Sequence, residues 1–205
     1  MPPSLALQPR EKRSETRLEL EGVALRLFER RGFSAVTVEE IAAAGHISVR
    51  TFYRYFPAKE DVFQVRIDRR TDALRVALAA RPDDEPPLHS LRVALVEVVS
   101  AEDAELTRRW TVVVAATTTA VRGVLGGIQM KVHPVIAEFF GTRLGRPGDS
   151  LVTTMLAAAA GGVIQAAHTQ WYLLGGDLAT RLSEGLAVLE QGMGTDPATW
   201  GSPQQ

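Results

Sequence analysis

The chain is predicted to be all-α: a three-helix head containing a helix-turn-helix, followed by a helical body, about nine helices in all. Three observations predict this. Residues 37–56, TVEEIAAAGHISVRTFYRYF, read as two short helices joined by a tight turn. Apolar residues recur at helical spacing through most of the remainder, and no hairpin turn chemistry accompanies the β-branched runs. Residues 81–87, RPDDEPP, form the clearest loop, because three prolines and three acids cannot continue a helix.

Taken in order, residues 1–10 carry three prolines and little apolar periodicity, which predicts a mobile arm. Arg10, Lys12 and Arg13 lie near its end, placed either to reach a nucleic-acid backbone or minor groove or to stay in solvent as a charged tail. From Ser14 the spacing of Leu18, Val23-Ala24 and Leu27-Phe28 predicts an amphipathic helix that stops at Gly32. Thr37, with Glu39 and Glu40 in the following turn, predicts a capped helix start. Val38, Ile41 and Ala42 make its apolar face, Gly45-His46 break it, and Ser48 offers a second N-cap. Phe52 and Phe56 then bury the second helix, so Val49, Arg50, Tyr53 and Arg54 or Tyr55 turn outward. Arginines and tyrosines on one outer face suit DNA, where Arg reads guanine edges and Tyr hydroxyls hold phosphates.

Pro57 interrupts the pattern and Lys59-Glu60-Asp61 opens another helix, which Val62, Phe63, Ile67, Leu74 and Leu78 carry to about Ala80. After the 81–87 loop, helices are predicted over 88–100, 104 to about 116, 121–144, 150–174 and 178–191. The runs Val112–Val114 and Thr117–Thr119 favour strand locally. Without a partner strand they predict a kink or break near 117–119 instead. Beyond Gly192 the tail should fray.

Composition narrows the function. Residues 1–70 hold thirteen Lys and Arg against ten Asp and Glu, a balance of +3, while 71–205 hold ten against fourteen, a balance of −4. A nucleic-acid binder needs only a local basic face, so the overall charge of −1 does not exclude one. The absence of cysteine excludes a disulfide framework and thiolate catalysis and is compatible with a reducing cytoplasm. No apolar leader segment follows the start, which argues against secretion. His46, His89, His133 and His168 are scattered, so no metal and no cofactor is expected, and no nucleophile motif, phosphate loop or acid–base pair indicates an enzyme.

The residues of the motif resemble the TetR family of bacterial one-component repressors. The resemblance runs over about 18–63 through Ala24, Phe28, Gly32-Phe33, Thr37-Val38, Ile41-Ala42, Ser48, Thr51-Phe52-Tyr53, Tyr55-Phe56 and Lys59-Glu60. The family usually has glycine just before the hydrophobic residue of the turn. Here that position is His46, with glycine one earlier, so a left-handed backbone there would strain His46 a little. The resemblance implies DNA contacts from Thr37, Val38, Ser48, Val49, Arg50, Thr51, Tyr53, Tyr55 and Lys59, the last reaching a phosphate. It also implies that the helix opening at Lys59 transmits ligand state to the head.

Residues 150–176 carry no formal charge, long enough to span a bilayer, but Gln165, His168, Gln170 and four Ser or Thr residues, without a basic flank, argue against insertion. The preferred reading is a buried helix whose small residues admit a neighbour. With the family resemblance it becomes half of a four-helix homodimer interface, through Ala158, Gly162 and Gln165 and through Leu178, Leu182 and Leu186 of the last helix. Each of Trp110, Met130, His133, Phe139 and Trp171 is more simply a core residue. Together with Arg109 and Arg122 they also suit the lining of an apolar small-molecule pocket. Residues 81–88 and Arg122 further resemble a TetR branch whose C-terminal domain takes acyl-CoA-like ligands.

The expected organisation is therefore an arm and DNA-binding domain over 1–56 and a ligand-binding and dimerisation domain over 57–205. The expected function is a cytoplasmic homodimeric repressor that binds an inverted-repeat operator in double-stranded DNA and is released by a small apolar effector. A helical interaction module without affinity for DNA, or a helical enzyme, are the alternatives from other classes.

Overall fold

The computed structural model describes residues 9–192. Among them are α1 (Pro9–Arg31), α2 (Val38–Ala44), α3 (Val49–Tyr55), a 3₁₀ turn (Lys59–Phe63), α4 (Gln64–Ala79), α5 (Pro87–Ser100) and α6 (Ala104–Ala115). There follow α7 (Thr118–Gly127), a π-helical turn (Ile128–Val132), α8 (His133–Leu144), α9 (Leu151–Leu174) and α10 (Leu178–Gln191), with no strand among the described residues. The π turn joins α7 to α8 without a break, so the described helices form nine rods. The β-branched run at 117 does interrupt the chain, between α6 and α7.

One expectation is corrected. The backbone is already helical at Pro9, so Arg10, Lys12 and Arg13 belong to the first turns of α1 and not to an arm. Proline is pre-organised for a first helical position, and the Arg, Glu and Lys that follow are good helix formers whatever their polarity. Residues 1–8 and the tail beyond Gly192 lie outside the described residues.

The described chain divides into two compact units, and the division falls inside α4, α6 and α7. The first contains the chain up to Arg66 together with Arg109–Leu125; the second contains Ile67–Arg108 and the chain from Gly126 onward. In the first, Leu20, Ala24 and Phe28 of α1, Ile41 and Ala42 of α2, and Phe52 and Phe56 of α3 are buried as one core. Val38, which the spacing places inside, is only half-buried.

In the second unit α10 packs on α5 and α9, and α8 packs on α9. Leu178, Leu182 and Leu186 are buried there at 5%, 1% and 0% exposure, so the leucine spacing that suggests a partner chain is satisfied within one subunit. Ser150 and Asp177 cap α9 and α10 by accepting from Thr153 N and Thr180 N. Gly161 admits the His133 ring against α9: a Cβ there would collide with it. Burial holds the His133 pKa below its ordinary value.

A polar network ties three helices of this unit together. Arg70 of α4 donates from Nε and Nη2 to the two carboxylate oxygens of Glu102, both at 2.7 Å. Thr107 Oγ1 donates to Glu102 Oε2 at 3.0 Å. His168 Nδ1 lies 2.8 Å from the Ile164 carbonyl and must donate to it, which leaves Nε2 to accept from Arg70 Nη1 at 3.2 Å. Burial, and then the Arg70 charge, push the His168 pKa down to about 4 from 6.5. A neutral folded histidine that gains a proton on unfolding makes the unfolded state the better proton binder, so stability falls as pH drops from 6.5 towards 4. Denaturant titrations across this window should show a loss approaching 1.4 kcal/mol per pH unit as an upper limit. His168→Gln should flatten that slope.

Candidate nucleic-acid interface

Both helices of the motif start where the sequence places them. Thr37 Oγ1 accepts from Glu40 N at 3.3 Å and Glu40 Oε2 accepts from Thr37 N at 2.9 Å, a reciprocal cap. Arg31 at the end of α1 pairs with the same carboxylate at 2.5 Å, and the Thr37 backbone bond and Arg31 together hold the Glu40 pKa below its ordinary value. Ser48 Oγ accepts from Thr51 N at 3.1 Å, and the two hydroxyls lie 2.8 Å apart.

Between the helices, His46 adopts φ 54°, the left-handed conformation that its position in the turn requires. Gly45 has an ordinary φ and serves another need. A Cβ there would stand 2.6 Å from Leu20 Cδ2 and 3.2 Å from the Ile41 carbonyl, so glycine lets α1 close over the end of α2.

The outer face of α3 is as the spacing predicts. Phe52 and Phe56 are fully buried, while Arg50 and Arg54 are exposed and Tyr53 is 50% exposed. Among the described residues Arg50 meets no protein partner, so its guanidinium is available to a ligand. Val49 and Thr51 are half-buried beside it.

Two of the candidate DNA contacts are partly committed inside the head. The Tyr55 hydroxyl is hydrogen-bonded by Arg54 and by Thr16 of α1, which lowers its pKa. Lys59 Nζ donates to the carbonyls of Phe33 and Val36, both at 2.7 Å, and lies 4.3 Å from the centre of the Phe33 ring. Burial lowers its pKa. One ammonium donor remains for a phosphate. The early start of α1 also brings residues that sequence reasoning left in an arm or overlooked: Arg13 Nη2 approaches the Arg54 carbonyl at 3.5 Å, and Arg17 lies 5.5 Å from the centre of the Phe56 ring. Their i,i+4 spacing on α1 is the signal that marks them.

The candidate ligand residues fall into separate units. Arg109, Trp110 and Arg122 belong to the first; Met130, His133, Phe139 and Trp171 belong to the second. Arg109 pairs with Glu29, Arg122 is exposed, and Met130 is 76% exposed. Phe139 lies between the Phe140 ring and the Arg143 guanidinium. The candidate interface residues Ala158, Gly162 and Gln165 are exposed on α9.

Residues 22–65 match the model of the bacterial regulatory proteins of the tetR family, and residues 85–194 match that of the MftR C-terminal domain. The chain belongs to the TetR family. Among similar proteins, TcmR of Streptomyces glaucescens is 38% identical over 96 residues, 46% of this chain and 42% of TcmR, so that match spans about two fifths of TcmR. MftR of Mycobacterium tuberculosis is 27% identical over 162 residues, 78% of this chain and 81% of MftR. FadR of Thermus thermophilus, solved in complex with lauroyl-CoA, shares the fold with a TM-score of 0.55 at 23% identity, covering 92% of this chain and 100% of FadR. TetR regulators are DNA-binding transcriptional regulators, a regulatory and not an enzymatic family, which act as dimers and bind small-molecule effectors.

The inward Lys59 has a measurable consequence. Lys59→Met should cost the head about 1.5–3 kcal/mol in urea denaturation, since hydrogen bonds from a charged donor are lost and two carbonyls are left unmatched. Arg50→Ala, on the open face, should stay within about 0.5 kcal/mol of the parent.

Proposed function

We propose that the chain is a cytoplasmic, homodimeric, sequence-specific repressor that leaves its operator when a small, largely apolar effector binds. The observation that carries the DNA-reading part is the Arg50 guanidinium, exposed and without a partner among the described residues, on the same capped helix α3 as the exposed Tyr53. In this reading residues 1–56 bind DNA and 57–205 bind the effector and the second subunit. Arg50 reads a base edge, and Tyr53 and the caps Thr37 and Ser48 hold phosphates, with Val38, Val49 and Thr51 against the groove. Tyr55 and Lys59 act mainly by keeping α3 in place.

Two-fold symmetry calls for an inverted repeat whose half-sites stand about one helical turn apart or a multiple of it, roughly 34–36 Å. Selection of bound duplexes from a random pool should return such a repeat. Arg50→Ala should cost about 1–3 kcal/mol on the selected site and relax preference at one position per half-site. An unchanged consensus would remove Arg50 from base reading.

The dimer reading rests on the outer face of α9. Leu151, Met155, Ala158, Gly162, Gln165, Thr169 and Leu173 are all exposed and follow one another at steps of three or four. That is the spacing of a helix–helix seam, with small residues at its middle to let a second helix approach. Although α9 is long and apolar enough to cross a membrane, its His168 meets the charged pair Arg70–Glu102, which lipid would not tolerate. Gly162→Glu should therefore yield a folded monomer in sedimentation equilibrium that no longer retains the selected duplex. A dimer that persists would place the interface elsewhere.

A further inference from the structure

The Tyr55 hydroxyl, at the C-terminal end of α3, is hydrogen-bonded by Thr16 of α1 and by Arg54. Arg17, the next residue of α1, lies 5.5 Å from the centre of the Phe56 ring. These two contacts fasten the end of α3 to the early turns of α1 inside one compact unit. Arg13, one turn before Arg17, is thereby brought beside Arg54, and its Nη2 lies 3.5 Å from the Arg54 carbonyl.

The charges of this edge are not cancelled. Arg13 and Arg54 are both exposed, and among the described residues neither pairs with a carboxylate. The nearest described acids on α1, Glu15 and Glu19, stand about 200° and 240° round the helix from Arg13, on its other side. The approach to the Arg54 carbonyl caps the last turn of α3 and uses one of the five N–H donors of a guanidinium. The Arg54 guanidinium meets only neutral groups, the Tyr55 hydroxyl and the Tyr55 ring, whose centre is 5.2 Å away.

Arg50 and Arg54 are one turn apart on α3, so positive charge runs from the outer face of α3 across Arg54 to Arg13 on α1. Like charges this close repel, and an anion between them relieves the repulsion. A helix lying in a groove of duplex DNA has a row of phosphates along its flank, which is the anion such an edge fits.

We propose that Arg13 of α1, together with Arg54, holds a DNA backbone phosphate at the edge of the groove that α3 enters. The proposal rests on the DNA-reading placement of α3 above and adds to it a contact from α1 that carries no sequence information. A role as the cap of α3 alone would need the donor of Arg13 and not its charge.

Fluorescence anisotropy of the full chain on the selected duplex, at several salt concentrations, separates the two roles. Arg13→Gln keeps a donor for the Arg54 carbonyl and removes the charge. It should weaken the selected duplex and an unrelated one by the same factor, roughly tenfold or more, and lower the slope of log affinity against log salt by about 1 per subunit. Arg13→Lys should restore most of that slope. Arg54→Gln, which leaves the carbonyl in place, should show the same uniform loss. Ethylation interference should mark a backbone phosphate in each half-site for the parent that drops out for Arg13→Gln, while reselection with Arg13→Gln should return the parent consensus. An unchanged slope, an unchanged ethylation pattern or an altered consensus each overturns the phosphate contact. If the chain selects no duplex at all, the proposal falls with the reading beneath it. If Arg50→Ala leaves the consensus unchanged while Arg13→Gln lowers the slope, the phosphate contact stands and the base-reading assignment falls.

Discussion

Lys59 commits two of its three N–H donors to the carbonyls of Phe33 and Val36, and the placement of the DNA-reading helix depends on that commitment. The corner between α1 and α2 turns at Gly32, φ 81°, and the carbonyls of Phe33 and Val36 belong to the segment between the two helices. Unmatched, each would weaken the corner. The ammonium satisfies both, and the Phe33 face accepts what charge remains. Thr37 then begins α2 two residues after Ala35, whose carbonyl accepts from Arg31. With the corner fixed, the glycine contact at Gly45 and the left-handed His46 leave α3 one direction to run. Phe52 and Phe56 bury only that arrangement.

The second unit is organised by a different constraint, the cost of placing charge inside. Arg70 and Glu102 are each only about one-fifth exposed, and an isolated charge so placed would be strongly unfavourable. Every donor direction of Arg70 used here is matched: two by Glu102 and one by a histidine whose proton is forced onto its other nitrogen by the Ile164 carbonyl. Thr107 completes the Glu102 side. Such a network contributes more to fixing which helices meet than to net stability, since a purely apolar replacement need not be weaker. It ties Arg70 of α4 to His168 of α9 through one hydrogen bond.

What could be read from the sequence was what local chemistry decides. The caps Thr37 and Ser48, the break at Gly45-His46 and the proline loop each depend on residues within three or four positions. The start of α1 escaped because its first turns are charged: periodicity detects a buried face, and residues 9–17 offer none. Lys59 escaped for another reason. A lysine at the start of a helix looks the same whether it faces solvent or the carbonyls of residues 26 and 23 positions earlier. The bond between Arg109 and Glu29 spans 80 residues, and nothing local marks it. Leucines at 178, 182 and 186 show the limit most clearly, because an apolar stripe has the same spacing whether it covers α5 of its own subunit or a helix of a second one.

That ambiguity bears on how α9 and α10 divide their work. An α-helix offers about 360° of surface, and α10 spends its apolar side on α5 and α9, leaving polar residues such as Thr180 and Glu184 outside. Helix α9 has apolar or small residues all round. Its inner face, Thr153, Ala157, Ala160, Ile164, Ala167 and Trp171, is used within the unit. Its outer face carries Leu151 at 82% and Leu173 at 68% exposure, with alanine and glycine between them. A helix apolar on both sides is expected in a core and not on a surface. Covering the outer face with the same face of a second α9 places glycine and alanine opposite glycine and alanine, so the two backbones can approach closely and the flanking leucines close the ends. The pairing is self-complementary under a two-fold axis, and a two-fold axis is also what an inverted repeat presents to two copies of α3. In the proposed dimer, one symmetry requirement links the small residues at the middle of α9 with the exposed Arg50 of α3.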